Sequence, residues 1–176
     1  MQDDRSGTRL RLNSPWLPVL LLALVLLQAT NPSPVWQYML TGVFLANAIS
    51  IYWAHALRTR LEVSRRVLWS WAQVGDLLEE EFSLENHSWL PVVWAEVVDH
   101  STVPGYEAAR VETAPGRGKR TWRTRSVCRL RGSFQLGPWE LRTGDPFAIF
   151  EVTHYFSDVR EVVVFPPVVR VPQLSL

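Results

Sequence analysis

The residue types of a serine hydrolase occur side by side in this sequence, at Asp99-His100-Ser101. A catalytic triad needs the carboxylate, the imidazole and the hydroxyl to converge on one reacting atom. Neighbouring residues of an extended chain point to opposite faces, so these three side chains would diverge on a strand. We therefore interpret the tripeptide as a turn, and we predict no catalytic residue and no enzymatic activity.

The remaining candidates for metal or thiol chemistry are four histidines and one cysteine, namely His55, His87, His100, His154 and Cys128. The histidines lack the helical or hairpin spacing with which a metal site collects its ligands. Cys128 shares its strand parity with Trp122 and Leu130, which indicates a buried side chain, and buried thiols are usually inert. We predict no metal ion and no cofactor.

Positive charge is concentrated between residues 117 and 131. Seven cations lie there, namely Arg117, Lys119, Arg120, Arg123, Arg125, Arg129 and Arg131. On a strand over residues 120–131, Arg123, Arg125, Arg129 and Arg131 would project from one face. That face could bind anionic lipid headgroups or a protein partner. Alternatively, these cations pair with an acidic strand at residues 79–85 and form a neutral, solvated hairpin.

The overall charge balance gives no support to nucleic-acid binding. The 176 residues contain 18 Lys plus Arg against 17 Asp plus Glu, whereas nucleic-acid-binding domains carry a clear basic excess. A single cysteine also excludes an intrachain disulfide framework and is consistent with a reducing compartment. Partners must therefore be inferred from local features.

Two apolar runs, at residues 15–30 and 35–57, are separated only by Asn31-Pro32-Ser33-Pro34. As a helix, the second run extends ~34 Å without a charged residue, which is enough to cross a ~30 Å hydrocarbon core. The first reaches only ~24 Å and would need residues 10–14 or a locally thinner bilayer. The sequence predicts a membrane α-helical hairpin, and the lipid bilayer is its first expected partner.

Two alternatives compete with the hairpin. One is a signal peptide cleaved after Ala29, although Leu27 is a poor match to the small residue expected at minus three. The other is a hairpin buried in a soluble protein, but about 120 residues of β-like sequence could not enclose two helices that are apolar on all sides. Both alternatives explain the apolar runs less well than a membrane hairpin.

The charges that flank the apolar runs predict an orientation. Seven arginines lie outside the runs and none lies between them, namely Arg5, Arg9, Arg11, Arg58, Arg60, Arg65 and Arg66. Because cytoplasmic flanks are rich in Lys and Arg, we expect both termini in the cytoplasm. The predicted organisation is a cytoplasmic N-terminal segment at 1–14, a hairpin at 15–57 and a cytoplasmic β-domain at 58–176, in a multi-pass protein of the cell membrane.

Small residues recur every four positions in the second run, at Gly42, Ala46, Ser50 and Ala54. This stripe would allow another helix to approach closely. It could pack against residues 20–27 within the hairpin or against a second chain, and the sequence leaves helix–helix self-association open.

From residue 61 onward, short alternating segments rich in Val, Trp, Phe and Thr are typical of half-buried antiparallel strands. Eight strands are predicted, at 61–69, 77–85, 90–98, 107–113, 120–131, 133–142, 149–156 and 159–165. Within 77–85 the apolar face of Phe82 and Leu84 is interrupted by Glu80. Eight short strands separated by turns predict an all-β domain, an antiparallel two-sheet sandwich.

The alternation changes parity inside the sixth predicted strand. Phe134 and Leu136 share one parity, while Trp139 and Leu141 share the other, and Gly137-Pro138 lies between the pairs. A bulge or tight bend at this dipeptide would reset the register. We expect it to bring both pairs onto one core.

Gly144-Asp145-Pro146 predicts a turn, in which Asp145 caps its own backbone or pairs with Arg131 or Arg142. This turn lies in one of three motifs that share a family resemblance, namely Arg131-Gly132-Ser133-Phe134-Gln135-Leu136-Gly137-Pro138, Leu141-Arg142-Thr143-Gly144-Asp145-Pro146-Phe147, and Ile149-Phe150 with Val164-Phe165-Pro166.

With these motifs the chain resembles the N-terminal half of the domain of unknown function 58 (DUF 58) family. The resemblance implies structural roles for Arg131, Gly132, Gly137, Pro138, Asp145, Pro146 and Phe147. It also implies a membrane protein that works with MoxR-type AAA ATPases. We therefore expect a membrane-anchored, non-enzymatic interaction or assembly module; an anionic-lipid-binding surface and a membrane enzyme are the alternatives.

Two departures from the family pattern bear on that expectation. Ala148 stands where the family usually has a glycine after Asp-Pro-Phe, which concerns the geometry of that turn. The family's von Willebrand factor A-like domain lies downstream of the Phe-Pro motif, and no Asp-x-Ser-x-Ser metal motif is found here. The resemblance leads us to expect that a longer protein would continue past Leu176.

Overall fold

The computed structural model describes residues 5–67, 71–106 and 108–167. Two helices are followed by mostly antiparallel β-sheets, as the sequence predicts. The elements are β1 (Arg5–Leu12), α1 (Trp16–Thr30), α2 (Pro34–Thr59), β2 (Leu61–Val67), β3 (Trp71–Gln73), β4 (Leu77–Asn86), β5 (Val92–Asp99), β6 (Arg110–Ala114), β7 (Lys119–Val127), β8 (Gly132–Leu136), β9 (Trp139–Gly144), β10 (Phe150–Phe156) and β11 (Arg160–Phe165).

The two helices form a hairpin, and each of their ends lies within two residues of the predicted position. Asn31-Pro32-Ser33 connects them, with Pro34 at the start of α2, where its missing N–H costs nothing. Among the described residues, only α2, with 26 residues, is long and apolar enough to cross a membrane by those two criteria. The apolar helix α1 is shorter, with 15 residues.

The strands form three sheets, with orders β1-β10-β9-β5-β6, β2-β4-β7 and β3-β11-β8. All pairs are antiparallel except that of β3 with β11. The sequence predicts a two-sheet sandwich from eight short strands, one of which spans residues 133–142 with a bulge or bend at Gly137-Pro138. Gly137-Pro138 instead lies between the end of β8 and the start of β9, and these two strands join different sheets.

The main hydrophobic core lies between the five-stranded sheet and the sheet β2-β4-β7. Trp139 and Phe156 of the first sheet stack with their ring centroids 4.0 Å apart. Phe82 of the second sheet meets Trp139 edge-on at 5.6 Å and stacks on Trp122 at 5.7 Å. Offset-stacked and edge-to-face aromatic pairs contribute beyond their buried area, so these four rings hold the two layers together.

A second core lies under the sheet β3-β11-β8. It contains Leu136, Val162, Val164 and Cys128, and Phe134 packs at its edge. Trp139 and Leu141 belong to the main core instead. The expectation that both pairs face one core is therefore wrong, because the chain changes sheets at Gly137.

The sequence predicts no strand before α1 and assigns residues 1–14 to a segment outside the β-domain. Residues 5–12 in fact pair with β10 along its whole length. Residues 8–12 alternate between polar and apolar types, but β1 is an edge strand and its Leu10 and Leu12 remain 43% and 50% exposed. The predicted strand positions 68–69 and 107, and the domain ends 1–4 and 168–176, lie outside the described residues.

Candidate functional site

The predicted basic face is formed by β7, which pairs with the acidic strand β4. The register places three of the four cations of β7 opposite glutamates, and three ion pairs result: Arg125 to Glu79 at 2.7 Å, Arg123 to Glu81 at 3.0 Å, and Lys119 to Glu85 at 3.6 Å. The fourth cation, Arg120, lies opposite Leu84 and pairs with Glu112 of β6 at 3.2 Å. The face therefore has alternating charges and little net field. This geometry favours the neutral, solvated hairpin over an anionic-lipid site on β7.

Arg129 and Arg131 do not extend this face, which is a correction to the predicted strand at 120–131. β7 ends at Val127, and the backbone N–H of Cys128 donates to the carbonyl of Asp76 at 2.9 Å. The chain leaves the sheet at that point, so Arg129 and Arg131 are exposed beyond its edge. The four arginines consequently do not share one strand face.

The tripeptide Asp99-His100-Ser101 forms a turn, as interpreted from the sequence. Oδ1 of Asp99 accepts hydrogen bonds from the backbone N–H and the hydroxyl of Ser101, at 3.0 and 2.6 Å. The Ser101 hydroxyl oxygen in turn accepts the N–H of Gly137 at 2.8 Å. The imidazole does not lie between the hydroxyl and the carboxylate, so the arrangement is not a catalytic triad.

A buried ionic cluster lies between the two layers of the main core and was not predicted. Arg65 of β2 donates to Glu80 of β4 at 3.0 Å and to Asp99 of β5 at 2.8 Å. These side chains are 5%, 0% and 4% exposed, respectively. The hydroxyl of Tyr106 donates to Glu80, and the guanidinium lies 5.4 Å from the Phe82 ring centroid. The cluster thus joins the two sheets through one cation.

Burial controls the protonation of this cluster, which has two carboxyl groups for one guanidinium. Burial raises the pKa of Glu80 above its usual value, although Arg65 opposes the shift. Burial also raises the pKa of Tyr106, and Glu80 raises it further, so the phenol stays protonated and acts as a donor. The pKa of Arg65 would be lowered by burial alone, but Glu80, Tyr106 and Asp99 raise it overall. The cluster is enclosed and structural, with its donors and acceptors directed at one another.

The sequence did carry a signal for this cluster. Glu80 interrupts the apolar face of β4, and Arg65 has the same parity as the buried Leu61 and Val63. Charged residues are rarely buried without a partner, so two inward charges on neighbouring strands predict an ion pair. Asp99 and Tyr106 could not be added from the sequence, because they come from other parts of the chain.

Hydrogen bonds connect the C-terminal half of α2 to the β-domain. The Ser50 hydroxyl donates to Oδ2 of Asp145 at 3.0 Å. Asp145 also accepts the backbone N–H groups of Phe147 and Phe150, at 3.0 and 2.6 Å. The predicted capping of its own turn is therefore confirmed. The alternative pairing with Arg131 or Arg142 is not found, and Arg142 contacts Glu140 instead.

A second connection lies about two turns further along α2, at Leu57. Nε2 of the buried His154 on β10 lies 3.1 Å from the carbonyl oxygen of Leu57, and its Nδ1 lies 3.3 Å from the Thr8 hydroxyl. A carbonyl can only accept, so Nε2 carries the proton and Nδ1 accepts from the hydroxyl. One imidazole thus joins β1, β10 and α2.

The small-residue stripe of α2 divides at this junction. Ser50 and Ala54 are 0% and 1% exposed because the sheets cover them. Gly42 is exposed, and a methyl group added there would meet no atom within 4 Å. The two sequence alternatives, packing against α1 or against a second chain, are therefore wrong for Ser50 and Ala54, whereas self-association through Gly42 stays a prediction.

The rest of the hairpin exposes apolar side chains on all sides. Fourteen large apolar side chains of α1 and α2 are at least 42% exposed, namely Trp16, Val19, Leu22, Val25, Leu26, Leu27, Val35, Tyr38, Met39, Phe44, Leu45, Ile49, Ile51 and Tyr52. Soluble monomeric proteins rarely expose a continuous apolar surface of this kind. Among the described residues, this surface is the feature that most needs a partner.

The fold and the junction define a class of protein in which a helical hairpin is docked into an antiparallel β-domain. No protein-family model and no curated protein sequence matches the chain. Among solved structures, similar folds include the CARDB domain of the PF1109 protein from Pyrococcus furiosus (13% identity, 61% of this chain, 94% of that chain, TM-score 0.43). They also include an ASH/PapD-like domain of human CEP192 (15% identity, 64% of this chain, 89% of that chain, TM-score 0.44). These similarities are too distant to indicate a ligand or an activity.

Proposed function

We propose that this protein is a membrane-anchored, non-enzymatic interaction or assembly module. The observation that carries the proposal is the apolar surface of the hairpin, where side chains as exposed as Tyr38 (79%), Leu22 (61%) and Phe44 (56%) lie on both helices. Burial of apolar surface contributes about 25 cal/mol per Å², so a hairpin of this composition gains much from entering hydrocarbon. A bilayer would bury the exposed apolar side chains of both helices at once.

The connectivity of the β-domain supports a hairpin with both ends on one side. β1 leads directly into α1, β2 follows α2 after Arg60, and both strands belong to the same β-domain. The two helix ends must therefore emerge together. The flanking arginines favour a cytoplasmic location for that side, with Asn31-Pro32-Ser33 on the opposite side.

The docking of α2 limits the depth of the membrane segment. Residues 50–57 include Ser50, Ala54 and Leu57, which are covered by the sheets, so residues 34–49 remain for the bilayer. These 16 residues extend ~24 Å, and the 15 residues of α1 extend ~22 Å. Both lengths are shorter than a ~30 Å hydrocarbon core, so the bilayer thins around the hairpin.

The interaction role rests on the β-domain and on the family resemblance. The titratable groups that the domain brings together, Arg65, Glu80 and Asp99, are enclosed and satisfy one another, which argues against a membrane enzyme. The glutamates on β4 neutralise the cations of β7, which argues against lipid binding by that face. The DUF 58 resemblance favours an AAA ATPase of the MoxR type as the partner.

The anchoring is tested by alkaline carbonate extraction of membranes that contain the full chain. We expect the wild-type protein to stay in the membrane pellet. The double variant Leu22→Lys/Phe44→Lys should be released, because two buried cations oppose insertion. The control Leu77→Lys/Leu130→Lys changes equally exposed residues of the β-domain and should stay in the pellet. Release of the wild-type protein would contradict the anchoring.

The orientation is tested with single-cysteine variants in a Cys128→Ala background. We expect an impermeant thiol reagent to label Ser33→Cys in intact cells and to label Ser101→Cys only after lysis. Labelling of Ser101→Cys in intact cells would overturn the proposed side of the β-domain while leaving the anchoring intact.

A further inference from the structure

Two loops of the β-domain contact α2 where the hairpin leaves the sheets, and another loop packs on the first of them. In chain order they are residues 87–91, 115–118 and 145–149, and we call them, together with Tyr52, the hairpin-side rim. The indole N–H of Trp89 donates to the Tyr52 hydroxyl at 3.1 Å, and the Asp145 carboxylate accepts from Ser50. The N–H of Arg117 donates to the carbonyl of Ser88 at 2.7 Å. Trp89 and Asp145 therefore meet α2 at the level of residues 50–52, while the first loop begins at His87, whose N–H donates to the carbonyl of Arg60 at 2.9 Å.

Aromatic side chains on this rim point into solvent. Trp89 is 59% exposed, Tyr52 is 49% exposed, and their ring centroids lie 6.3 Å apart. Phe147 is 38% exposed, and Trp16 at the start of α1 is 53% exposed. The backbone N–H groups of residues 13 and 14 donate to the carbonyl of Ile149, which places the start of α1 beside the third loop. Tryptophan and tyrosine prefer the headgroup level of a bilayer, where one end of the ring is apolar and the other wet.

The rim also carries an unpaired cation. Arg117 lies at the tip of the turn between β6 and β7, is exposed, and has no carboxylate partner among residues 5–67, 71–106 and 108–167. The turn packs closely on the first loop, because a methyl group at Gly116 would lie 2.1 Å from the carbonyl oxygen of Trp89. The backbone of the turn that carries Arg117 is consequently held against the backbone of residues 88 and 89. An arginine can bind the phosphate groups of phospholipid headgroups, and a tryptophan prefers the interfacial region that holds the ester groups.

The geometry points to the hairpin-side rim as a surface that seats in the phospholipid headgroup layer and holds the β-domain against the bilayer. This inference rests on the proposed membrane anchoring. Only ~24 Å of α2 lies beyond the rim, less than the ~30 Å hydrocarbon core, so insertion of the hairpin draws the rim to the membrane surface. α2 is continuous through the junction, with no flexible linker between the membrane segment and the sheets. The orientation of the β-domain is therefore set by the helix and the rim together.

Fluorescence quenching of the full chain in phosphatidylcholine vesicles with phosphatidylglycerol tests the seating. The fluorophore NBD is attached at Trp89→Cys, Leu130→Cys or Phe44→Cys, each in a Cys128→Ala background. Leu130 is 57% exposed, close to the 59% of Trp89, and follows Cys128, which bonds to Asp76 beside the start of β4. It lies at the opposite end of β4 from the rim, ~30 Å away.

We expect the label at position 89 to shift to the blue and to be quenched several-fold more by a nitroxide at the lipid headgroup than by aqueous iodide. The label at position 130 should show the reverse preference. Quenching at position 44 by a nitroxide deep in the acyl chain reports the anchoring separately. If position 44 is quenched and position 89 behaves like position 130, the seating is wrong and the anchoring stands; if position 44 also fails, both are wrong.

A second measurement separates the contribution of the rim from that of the helix. In Trp89→Ser/Arg117→Gln, with NBD at Phe147→Cys, headgroup quenching should fall several-fold while carbonate extraction still leaves the protein in the pellet. The control Trp71→Ser removes a 57% exposed tryptophan from β3, away from the rim, and should leave the quenching unchanged. Unchanged quenching in the double variant would show that these two side chains do not seat the domain.

Discussion

The hydroxyl of Ser50 on α2 donates to the carboxylate of Asp145 in the turn between β9 and β10, at 3.0 Å, and both side chains are buried. The same carboxylate closes its own turn through two backbone N–H groups. A buried hydrogen bond therefore joins the hairpin to the β-domain. A change in the helix is transmitted to the sheets through a polar contact that water does not reach.

The Ser50→Ala substitution should lower the free energy of unfolding by ~1.5–3 kcal/mol, because a hydrogen bond to a buried charge is lost. Denaturant unfolding in detergent measures the change. The control is Thr41→Ala, whose hydroxyl bonds only to the carbonyl of Gln37 in its own helix. Equal effects of the two substitutions would show that the contact with Asp145 contributes nothing.

Substitution of Gly137 by valine should destabilise the β-domain by at least ~1–3 kcal/mol, the usual cost of a strained backbone position. Its φ is +85°, and an added Cβ would lie 2.2 Å from the carbonyl oxygen of Asp158. Gly7→Ala is the control, since a methyl group there meets no atom within 4 Å. A thermal midpoint for Gly137→Val equal to that of the wild type would refute this role of Gly137 between β8 and β9.

Removal of the cation from the buried cluster should lower the free energy of unfolding substantially. Arg65→Met leaves Glu80 and Asp99 buried without a counter-charge, and breaking a buried pair in this way costs ~3–5 kcal/mol. Arg66→Met, at an exposed neighbouring position, is the control. Chemical denaturation at neutral pH measures the stability of both variants. Equal stability of Arg65→Met and Arg66→Met would contradict the structural role of the cluster.

The same cluster predicts a pH dependence of stability. Burial raises the folded-state pKa of Glu80 above its ordinary value of 4.5, so the folded protein holds a proton that the unfolded chain releases. Its contribution to stability is present below pH 4.5 and is lost as the pH rises through the folded-state pKa. In Glu80→Gln this loss should disappear from the unfolding free energy measured against pH. A parallel pH profile for the variant and the wild type would contradict the raised pKa.

The ion pairs between β4 and β7 should contribute little individually. Arg123→Glu and Glu81→Arg each place like charges opposite one another and should cost at most ~1 kcal/mol, and the double swap should recover most of it. A double-mutant cycle by urea unfolding measures this coupling. Binding to anionic vesicles should be unaffected by Arg123→Glu, because Glu81 already neutralises this arginine; lost binding would revive the lipid-binding alternative for this face.

Local patterns in the sequence determine the helices and most of the strands. The apolar runs and the Asn31-Pro32-Ser33-Pro34 connection predict the hairpin to within two residues, since helix ends depend on neighbouring residues. Alternation likewise predicts the buried parity of Phe82 and Leu84 on β4. Asp145 accepts the N–H of Phe150, only five residues further along the chain, so this capping contact can also be predicted from the sequence.

Only the tertiary structure decided what each buried face meets. The stripe at Ser50 and Ala54 indicates close approach, but a helix, a second chain and a sheet would all satisfy it, and the sheets are the partner. The pairing of Arg123 with Glu81 depends on a strand register that a one-residue slip would destroy. The parity of a residue shows that its side chain is buried, whereas the identity of its neighbour depends on long-range packing that no local pattern records.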